Sequence, residues 1–255
     1  MANGGSIIKF TLYAVVEVIL LLVLWHVFSL TEWFPVYLSS PTEVFAEMGE
    51  LLFTGEVFAH VQISLYRSLF SFVLVAVIGT TLGILAGFFK PIGTFFDPLI
   101  SFLNPVPKIA LLPVFLVWFG VTDTTRILII FTSAFFPAFI ATIDGARNVN
   151  QLYLWKAENM GAKPLTILRK IVLPAAMPKI FDGLRVALAL CFVMMFSSEM
   201  IGTSTGKGLG FLILNADSFG RTDLVLAAVF YIMILGFLFD RLLILVRHYV
   251  LWWNR

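Results

Sequence analysis

Six long apolar runs constrain the fold of this chain more than any other feature of its sequence. A membrane-spanning helix needs about 20 predominantly apolar residues with few charges. The 255 residues are 60% hydrophobic and only 13% charged, whereas about a quarter of the residues in a soluble domain are charged. The sequence therefore predicts an all-α integral membrane protein with about six transmembrane helices in a single domain, residues 1–255. The predicted spans are residues 10–30, 66–89, 99–119, 126–143, 183–201 and 224–247.

Prolines interrupt the third of these runs. Pro105, Pro107 and Pro113 lie within it, together with Asn104 and Lys108. A proline inside a helix removes a backbone hydrogen bond and bends the helix. We therefore expect a kinked transmembrane helix whose freed carbonyl groups find partners within the helix bundle.

The basic residues are distributed unevenly between the two sides of the membrane. With the N-terminus in the cytoplasm, thirteen of the 17 Lys and Arg residues fall on the cytoplasmic side. Cytoplasmic loops carry an excess of basic residues, so both termini are expected in the cytoplasm. The cytoplasmic set is Lys9, Lys90, Lys108, Arg147, Lys156, Lys163, Arg169, Lys170, Lys179, Arg185, Arg241, Arg247 and Arg255, and the outer set is Arg67, Arg126, Lys207 and Arg221.

The loop at residues 144–182, between the fourth and fifth spans, is the long cytoplasmic connection. Asn150 is a favourable N-cap and Gly161 a favourable residue just past a helix C-terminus, so a helix is predicted at residues 151–160. Its apolar side chains are distributed around the helix, and a short helix of this kind is marginal in water by itself. We expect the membrane domain to cover one side and a partner to cover another. These apolar residues are Leu152, Tyr153, Leu154, Trp155, Ala157 and Met160.

Two prolines delimit a second predicted helix in the same loop. Pro164 suits the first turn of a helix, and Pro174 is expected to end it.

Three glycines in the second run share one helix face. Gly79, Gly83 and Gly87 are spaced four residues apart, and such a face lets another backbone approach closely. The pattern fits packing within one subunit, and it also fits a contact between two copies of the chain.

The spacing within the loop carries a family resemblance. Gly161 is followed after nine residues by Ile171 and then, one residue later, by a Leu-Pro pair that ends at Pro174. This pattern resembles the EAA loop of permease subunits of binding-protein-dependent ABC importers, which reads Glu-Ala-Ala, three residues, Gly, nine residues, Ile, one residue, Leu-Pro.

The triplet of the motif is only partly present. Its second Ala falls on Ala157, whereas Trp155 and Lys156 stand where Glu and the first Ala are usual. Glu158 follows one position past the triplet, where it projects about 100° away from Ala157 on a helix.

Further segments resemble the nitrate, sulfonate and taurine branch of these permeases. Together they cover most of residues 38–253. The segments are LSSPTEVF at 38–45, SLYRSLFSF at 64–72, IALLPVFLVWFG at 109–120, LPAAMPKIFDGLRVALAL at 173–190, SEMIGTSTGKGLGFLI at 198–213, and Trp252-Trp253.

The resemblance implies an assembly in the bacterial inner membrane. Its parts are a homodimer of six-helix type I permease subunits in lipid, two cytoplasmic ATP-binding subunits that hold ATP and Mg²⁺, and a periplasmic or lipid-anchored solute-binding protein. It implies no nucleic acid partner and no cofactor in this chain. It also implies that the loop contains the coupling helix, through which the ATPase acts on the permease. The implied coupling residues are Trp155, Lys156, Ala157, Glu158, Asn159, Met160, Gly161 and Ala162.

The resemblance further implies import of a sulfonate, taurine or nitrate-like solute without covalent chemistry. Thiamine precursors and riboflavin-like compounds remain open as alternative solutes. A secondary carrier or a channel is an alternative of a different class, since neither would need an ATPase partner.

Polar groups inside the predicted spans are candidates for the translocation path, because burying them in a membrane is costly. Asn104 and Lys108 lie in the third span, and Ser197, Ser198 and Glu199 end the fifth. The alternatives are an interfacial position for Glu199 and a side chain that reaches the inner surface for Lys108.

Other motifs of the chain argue against enzymatic chemistry. Residues 202–206 match the G-x-S-x-G pattern of serine hydrolases around Ser204, but no histidine and acid complete the set. The glycines around Lys207 lack the spacing and the Ser/Thr of a phosphate-binding loop. We expect a glycine-rich turn followed by a short outer helix at residues 209–216. The single cysteine, Cys191, excludes an intrachain disulfide.

Overall fold

The described part of the chain is built from helices joined by short turns. The computed structural model describes residues 4–31, 39–201 and 206–254, with side chains described from Tyr13 and then from Val16 onward. No strand occurs within these ranges. The helices are α1 (Gly4–Ser29), α2 (Pro41–Thr54), α3 (Glu56–Phe88), α4 (Lys90–Leu103), α5 (Lys108–Phe119), α6 (Asp123–Arg147), α7 (Gln151–Asn159), α8 (Pro164–Glu199), α9 (Leu209–Ser218) and α10 (Thr222–Val250).

Among the described residues, four helices are long and apolar enough to cross a membrane. These are α3, α6, α8 and α10, and the bent pair α4–α5 makes a fifth if it counts as one span. In α1, the shorter apolar stretch Val16–Ser29 has most of its side chains exposed. The all-α membrane class predicted from the sequence is confirmed, while the number of spans stays a prediction.

The third predicted span is a pair of helices, and the expectation of one kinked helix is wrong. Helices α4 and α5 meet at an angle of 87° across residues 104–107. Pro105 and Pro107 lie inside this break. Each proline lacks an N–H and disfavours the helical conformation of the preceding residue, so two prolines this close prevent a continuous helix.

Pro174 does not end the second helix of the loop, contrary to the sequence prediction. Helix α8 runs from Pro164 through Pro174 to Glu199. A single π-helical turn at Leu168–Val172 ends two residues before the proline. Such a turn shifts the hydrogen-bonding pattern by one residue, and the α-helical segment that follows begins at Leu173. Pro174 therefore lies in the first turn of that segment, where its missing N–H is tolerated.

Helix α6 lies between α3 and α8 at distances that only small residues permit. A Cβ atom at Gly83 would lie 2.6 Å from the Thr142 Cβ, and one at Gly87 would lie 2.5 Å from the Ala146 Cβ. On the other side of α6, Gly183 of α8 approaches Ala141 equally closely. The packing interpretation of the glycine face is therefore confirmed: it serves contacts within one chain.

The two ends of the bundle differ in what they carry. One end, here called the α7 end, holds α7 and the C-termini of α3, α6 and α10. The other, the α9 end, holds α2, α9 and the N-termini of α3, α6 and α10. The predicted short helix at residues 209–216 is observed as α9, Leu209–Ser218.

Ion pairs between helices occur at both ends. At the α7 end, Arg147 pairs with Asp97 at 2.9 Å. At the α9 end, Arg221 pairs with Glu47 of α2 at 2.6 Å and with Asp223 at 2.7 Å. The hydrogen-bonded Asp223 carboxylate raises the pKa of Arg221 above its usual range. Each of these pairs is partly exposed, so its contribution to stability is small.

The close packing of α3 on α6 predicts that adding one methyl group at this contact lowers the stability of the protein. We expect Gly83→Ala to destabilise the protein by about 1–3 kcal/mol, because the new Cβ would overlap Thr142 and the Phe139 carbonyl. The thermal unfolding midpoint of the detergent-purified protein measures this effect.

Gly236→Ala is the matched control, since no atom lies within 4 Å of a Cβ at this position. Equal losses of thermal stability in the two variants would contradict the proposed packing.

Candidate functional site

Helix α7 begins at the residue predicted from the sequence and ends at Asn159, one residue earlier than predicted. The Asn150 side chain accepts a hydrogen bond from the amide two residues later at 2.9 Å, as an N-cap does. Gly161 has a φ of +75°. Its N–H donates to the Glu158 carbonyl at 2.9 Å, and the Ala162 N–H donates to the Ala157 carbonyl at 3.0 Å. This pair of bonds is a Schellman motif, which fixes the direction in which the chain leaves α7.

Helix α7 contacts the bundle along one side only. Ala157 is buried, and Leu154 and Ala162 are half-buried. The exposed polar or small residues are Gln151, Lys156, Glu158, Asn159 and Gly161. The exposed apolar residues, here called the α7 patch, are Leu152 (55% exposed), Tyr153 (57%), Trp155 (57%) and Met160 (86%).

Two grooves flank α7. One has a volume of about 740 Å³ and is lined by Arg147, Glu158 and other residues from α3, α4, α6 and α8. The other has a volume of about 410 Å³ and is lined by Lys156 and Met160 together with Trp253. The helix therefore stands as a ridge with a concave surface on each side.

A buried assembly of polar side chains lies within the bundle near the α9 end. Helix α3 carries a stripe of polar residues spaced three and four apart: Ser64, Arg67, Ser68 and Ser71. All four are buried, with exposures of 0–3%. The count of basic residues in the sequence placed Arg67 on the outer side, and this stripe was not predicted. Its helical spacing inside an otherwise apolar segment was the signal that could have revealed it.

Glu199 is the acceptor at the centre of this assembly. Its carboxylate receives hydrogen bonds from Arg67 Nη1 at 2.7 Å, from Ser64 Oγ at 2.8 and 3.0 Å, and from the Gly210 N–H at 3.0 Å. The side chain is fully buried. A buried charge is tolerated only when it is paired and hydrogen bonded, and Glu199 meets both conditions.

Asp123 and Arg126 extend the assembly to the start of α6. Arg67 Nη2 lies 2.6 Å from Asp123 Oδ1, and Arg126 Nη1 lies 3.6 Å from the same oxygen. Two arginines therefore face two carboxylates, those of Asp123 and Glu199. These ion pairs connect α3, α6 and α8 at the same depth in the bundle.

The turn before α9 is attached to the same assembly. Arg67 donates to the Lys207 carbonyl at 2.9 Å, and Ser64 accepts from the Leu209 N–H at 2.9 Å. Gly208 has a φ of +138°, and a Cβ there would lie 2.5 Å from the Glu199 carboxyl carbon. The loop can lie this close to Glu199 only because residue 208 is a glycine.

The structure separates the predicted path residues into two places. Ser197, Ser198 and Glu199 form the last turn of α8, where Ser197 is half-buried and the other two are buried. In this conformation both α3 and the turn before α9 cover the Glu199 carboxylate. Ser204, at the centre of the G-x-S-x-G pattern, lies outside the described residues.

Asn104 and Lys108 lie together at the break between α4 and α5. Lys108 Nζ donates to the Leu103 carbonyl at 2.9 Å and to the Asn104 carbonyl at 2.6 Å. It also lies 4.7 Å from the centre of the Phe136 ring. Phe136 is near the middle of α6, so Lys108 lies deeper than the position near the cytoplasmic surface that the sequence suggested. The carbonyl groups freed by the break do find a partner, as expected.

Comparisons with known proteins cover most of the chain. The family model described as "binding-protein-dependent transport system inner membrane component" matches residues 79–248. The chain is 35% identical over 217 residues to the putative aliphatic sulfonates transport permease protein SsuC of Bacillus subtilis. This alignment covers 85% of this chain and 78% of that protein. It is 30% identical over 227 residues to the taurine transport system permease protein TauC of Escherichia coli, with 87% and 82% covered.

The fold also resembles a solved structure. A chain of the MetNI methionine ABC transporter in an inward-facing conformation aligns with a TM-score of 0.64. The alignment covers 76% of this chain and 95% of that chain at 20% sequence identity. At this identity the likeness concerns the fold alone.

The buried Glu199 assembly predicts a large difference between its single and double variants. Arg67→Met leaves the buried Glu199 carboxylate without its counter-ion, so we expect it to destabilise the protein by about 3–5 kcal/mol. Glu199→Gln is expected to cost less, because Arg67 keeps Asp123 as a partner. The double variant removes both charges and is expected to cost less than the sum of the two. Thermal unfolding of the purified variants, analysed as a double-mutant cycle, tests this coupling.

A partly exposed ion pair provides the control. Arg247 pairs with Asp182 at 2.9 Å at the α7 end, and Arg247→Met is expected to cost about 1 kcal/mol or less. Additive losses in the Arg67–Glu199 cycle would show that the two groups do not interact as described.

Proposed function

The chain belongs to the family of binding-protein-dependent transport system inner membrane components, and from this membership we propose how ATP hydrolysis drives its transport. As a member it is a permease subunit of an ABC importer. The proposal is that separate ATP-binding subunits, which hold ATP and Mg²⁺, act on the permease through α7. The import of solute follows from closure of those subunits.

The α7 patch is the observation that supports this proposal best. Four large apolar side chains protrude from a short helix at the α7 end of the bundle, and Met160 is 86% exposed. Grouped exposed apolar residues with polar surroundings mark a surface for a protein partner. A secondary carrier or a channel would have no need of this surface. We propose that it inserts into a groove of the ATP-binding subunit.

The packing around α7 supports transmission of the movement into the membrane. Ala157 packs in the same apolar core as Val149, which directly follows α6, and Ile167, in the first turn of α8. Helices α6 and α8 are themselves in close contact through Gly183. A push on α7 would therefore move α6 and α8 together as a rigid body, since packed helices do not deform continuously.

The orientation and the partners follow from the same proposal. The α7 end faces the cytoplasm of a bacterium and the α9 end faces outward across the inner membrane, which places both termini in the cytoplasm. Two copies of the chain form the path in the lipid bilayer. A solute-binding protein outside the membrane delivers the solute to the α9 end.

The proposed solute is small and carries an acidic group. The names of the two relatives describe permeases for aliphatic sulfonates and for taurine, and both kinds of compound carry a sulfonate. We propose a sulfonate, taurine or nitrate-like solute for this chain. Uptake measurements with the purified solute-binding protein, loaded with each candidate in turn, identify the solute.

The docking of the α7 patch makes a direct prediction for Trp155. We expect Trp155→Ala to weaken association with the ATP-binding subunit by about 2 kcal/mol or more, about 30-fold, because a buried aromatic anchor is lost. Titration of the ATP-binding subunit onto the permease in nanodiscs measures the affinity.

Tyr249→Ala is the control, since Tyr249 is also an exposed aromatic residue near the α7 end but lies on α10. Undiminished binding by Trp155→Ala would contradict docking through the α7 patch.

The Schellman motif predicts that coupling to ATP hydrolysis requires a residue at position 161 that can adopt a positive φ. No atom lies within 4 Å of a Cβ at Gly161, so only its φ of +75° opposes substitution. We expect Gly161→Val to reduce ATP hydrolysis stimulated by the loaded binding protein, because a β-branched residue disfavours this conformation by about 1–2 kcal/mol.

Gly161→Asn is the matched variant, because asparagine adopts the left-handed conformation more readily. It should retain most of the stimulated activity. Transport by the permease alone, unchanged by Gly161→Val, would favour a carrier or channel over the proposed coupling.

A further inference from the structure

Lys108 is a cation at the middle depth of the membrane domain. It begins α5 directly after the 87° break and lies over Phe136, near the middle of α6. A charged side chain at this depth is costly and normally faces the interior of a bundle or a water-filled cavity. Here the side chain of Lys108 is only half-buried, and the neighbouring Asn104 is exposed.

The bonds of Lys108 leave its charge without a counter-ion. Within the described residues, its ammonium contacts two carbonyl groups and one ring, and it forms no ion pair. An ammonium has three N–H donors, and the two carbonyls of Leu103 and Asn104 occupy two of them. One donor and the net positive charge remain available on a surface of the single chain.

This surface is unsuited to lipid. An exposed amide and an unpaired ammonium would both face hydrocarbon at the depth where water is absent. A second copy of the chain, placed across this surface to enclose an aqueous path, removes that cost. The break between α4 and α5 also supports an aqueous path here, since irregular backbone at membrane depth is tolerated where it lines a cavity.

We propose that Lys108 contacts the acidic group of the solute midway through the translocation path. The inference rests on the proposed function and adds to it a residue and a chemical class: an oxyanion, such as a sulfonate, passes the free N–H of Lys108. Because two of the three donors are already occupied, the contact is weak enough for the solute to leave again. The same charge opposes the passage of cations.

Uptake into proteoliposomes tests the role of the charge. The assembled transporter, with its ATP-binding subunits and its solute-binding protein, is supplied with radiolabelled taurine. We expect Lys108→Gln to lower the rate of ATP-dependent uptake at least tenfold while stimulated ATP hydrolysis changes less than twofold. Lys108→Arg, which keeps the charge and can still donate to both carbonyls, should retain most of the uptake. Lys90→Gln, at the other end of α4, is the matched control and should behave as wild type.

Chemical labelling tests the surroundings of the residue without reference to the solute. Lys108→Cys in the assembled transporter in nanodiscs is treated with 2-sulfonatoethyl methanethiosulfonate, whose anionic part is itself an alkyl sulfonate. We expect rapid modification at position 108. The native Cys191 is fully buried and should remain unmodified.

The outcomes separate the inference from the proposed function. Wild-type uptake by Lys108→Gln, or no labelling of Lys108→Cys, overturns the role of Lys108 and leaves the proposed function intact. Labelling of Lys108→Cys, combined with no ATP-dependent uptake of any solute by the transporter that keeps Lys108, supports the aqueous anion site and contradicts the proposed function.

Discussion

The rest of this structure depends on one constraint: helix α6 packs so closely against α3 and α8 that only small residues fit between the helices. In a membrane, helices gain little from burying apolar side chains, because lipid is equally apolar. Their association relies on close packing and on polar bonds between helices. The close packing is made possible by Gly83, Gly87 and Gly183. The polar bonds between helices are those of Arg67 and Glu199. The two features hold the same three helices at different depths.

This central unit connects the two ends of the molecule. In the chain, helix α7 lies between α6 and α8. The turn before α9 is bonded to the N-terminal half of α3 and to the C-terminal end of α8. A movement imposed on α7 therefore reaches the α9 end through helices that are already joined. By contrast, α4 and α5 meet at a break. Within the described residues, the membrane domain thus combines one interrupted pair of helices with four long continuous ones.

Local sequence rules predicted the parts of the structure that depend on neighbouring residues. The boundaries of α7 follow from Asn150 and Gly161, whose roles as caps need no tertiary partner. Helix α2 has a comparable local signal at its start, where Ser40 and Glu43 form a capping box. The residues of the α7 site were therefore within reach of sequence reasoning, helped by the spacing shared with the family.

The features that depend on distant partners were not predicted. Nothing next to Arg67 in the sequence shows that Glu199, 132 residues away, will accept its hydrogen bond. The continuation of α8 past Pro174 required a π turn, which no residue type specifies. The depth of Lys108 followed from the sharpness of the break, whereas prolines alone indicate only that some bend occurs.

The bonds of Glu199 also bear on how the chain is made. Its partners come from two directions along the sequence: Ser64 and Arg67 precede it by more than a hundred residues, and the Gly210 amide follows it. A ribosome that has synthesised α8 has therefore not yet supplied every donor that this carboxylate needs. The hydrogen bonds of Glu199 can therefore be completed only after residue 210 has been synthesised, when the α3, α6 and α8 segments are already part of the chain.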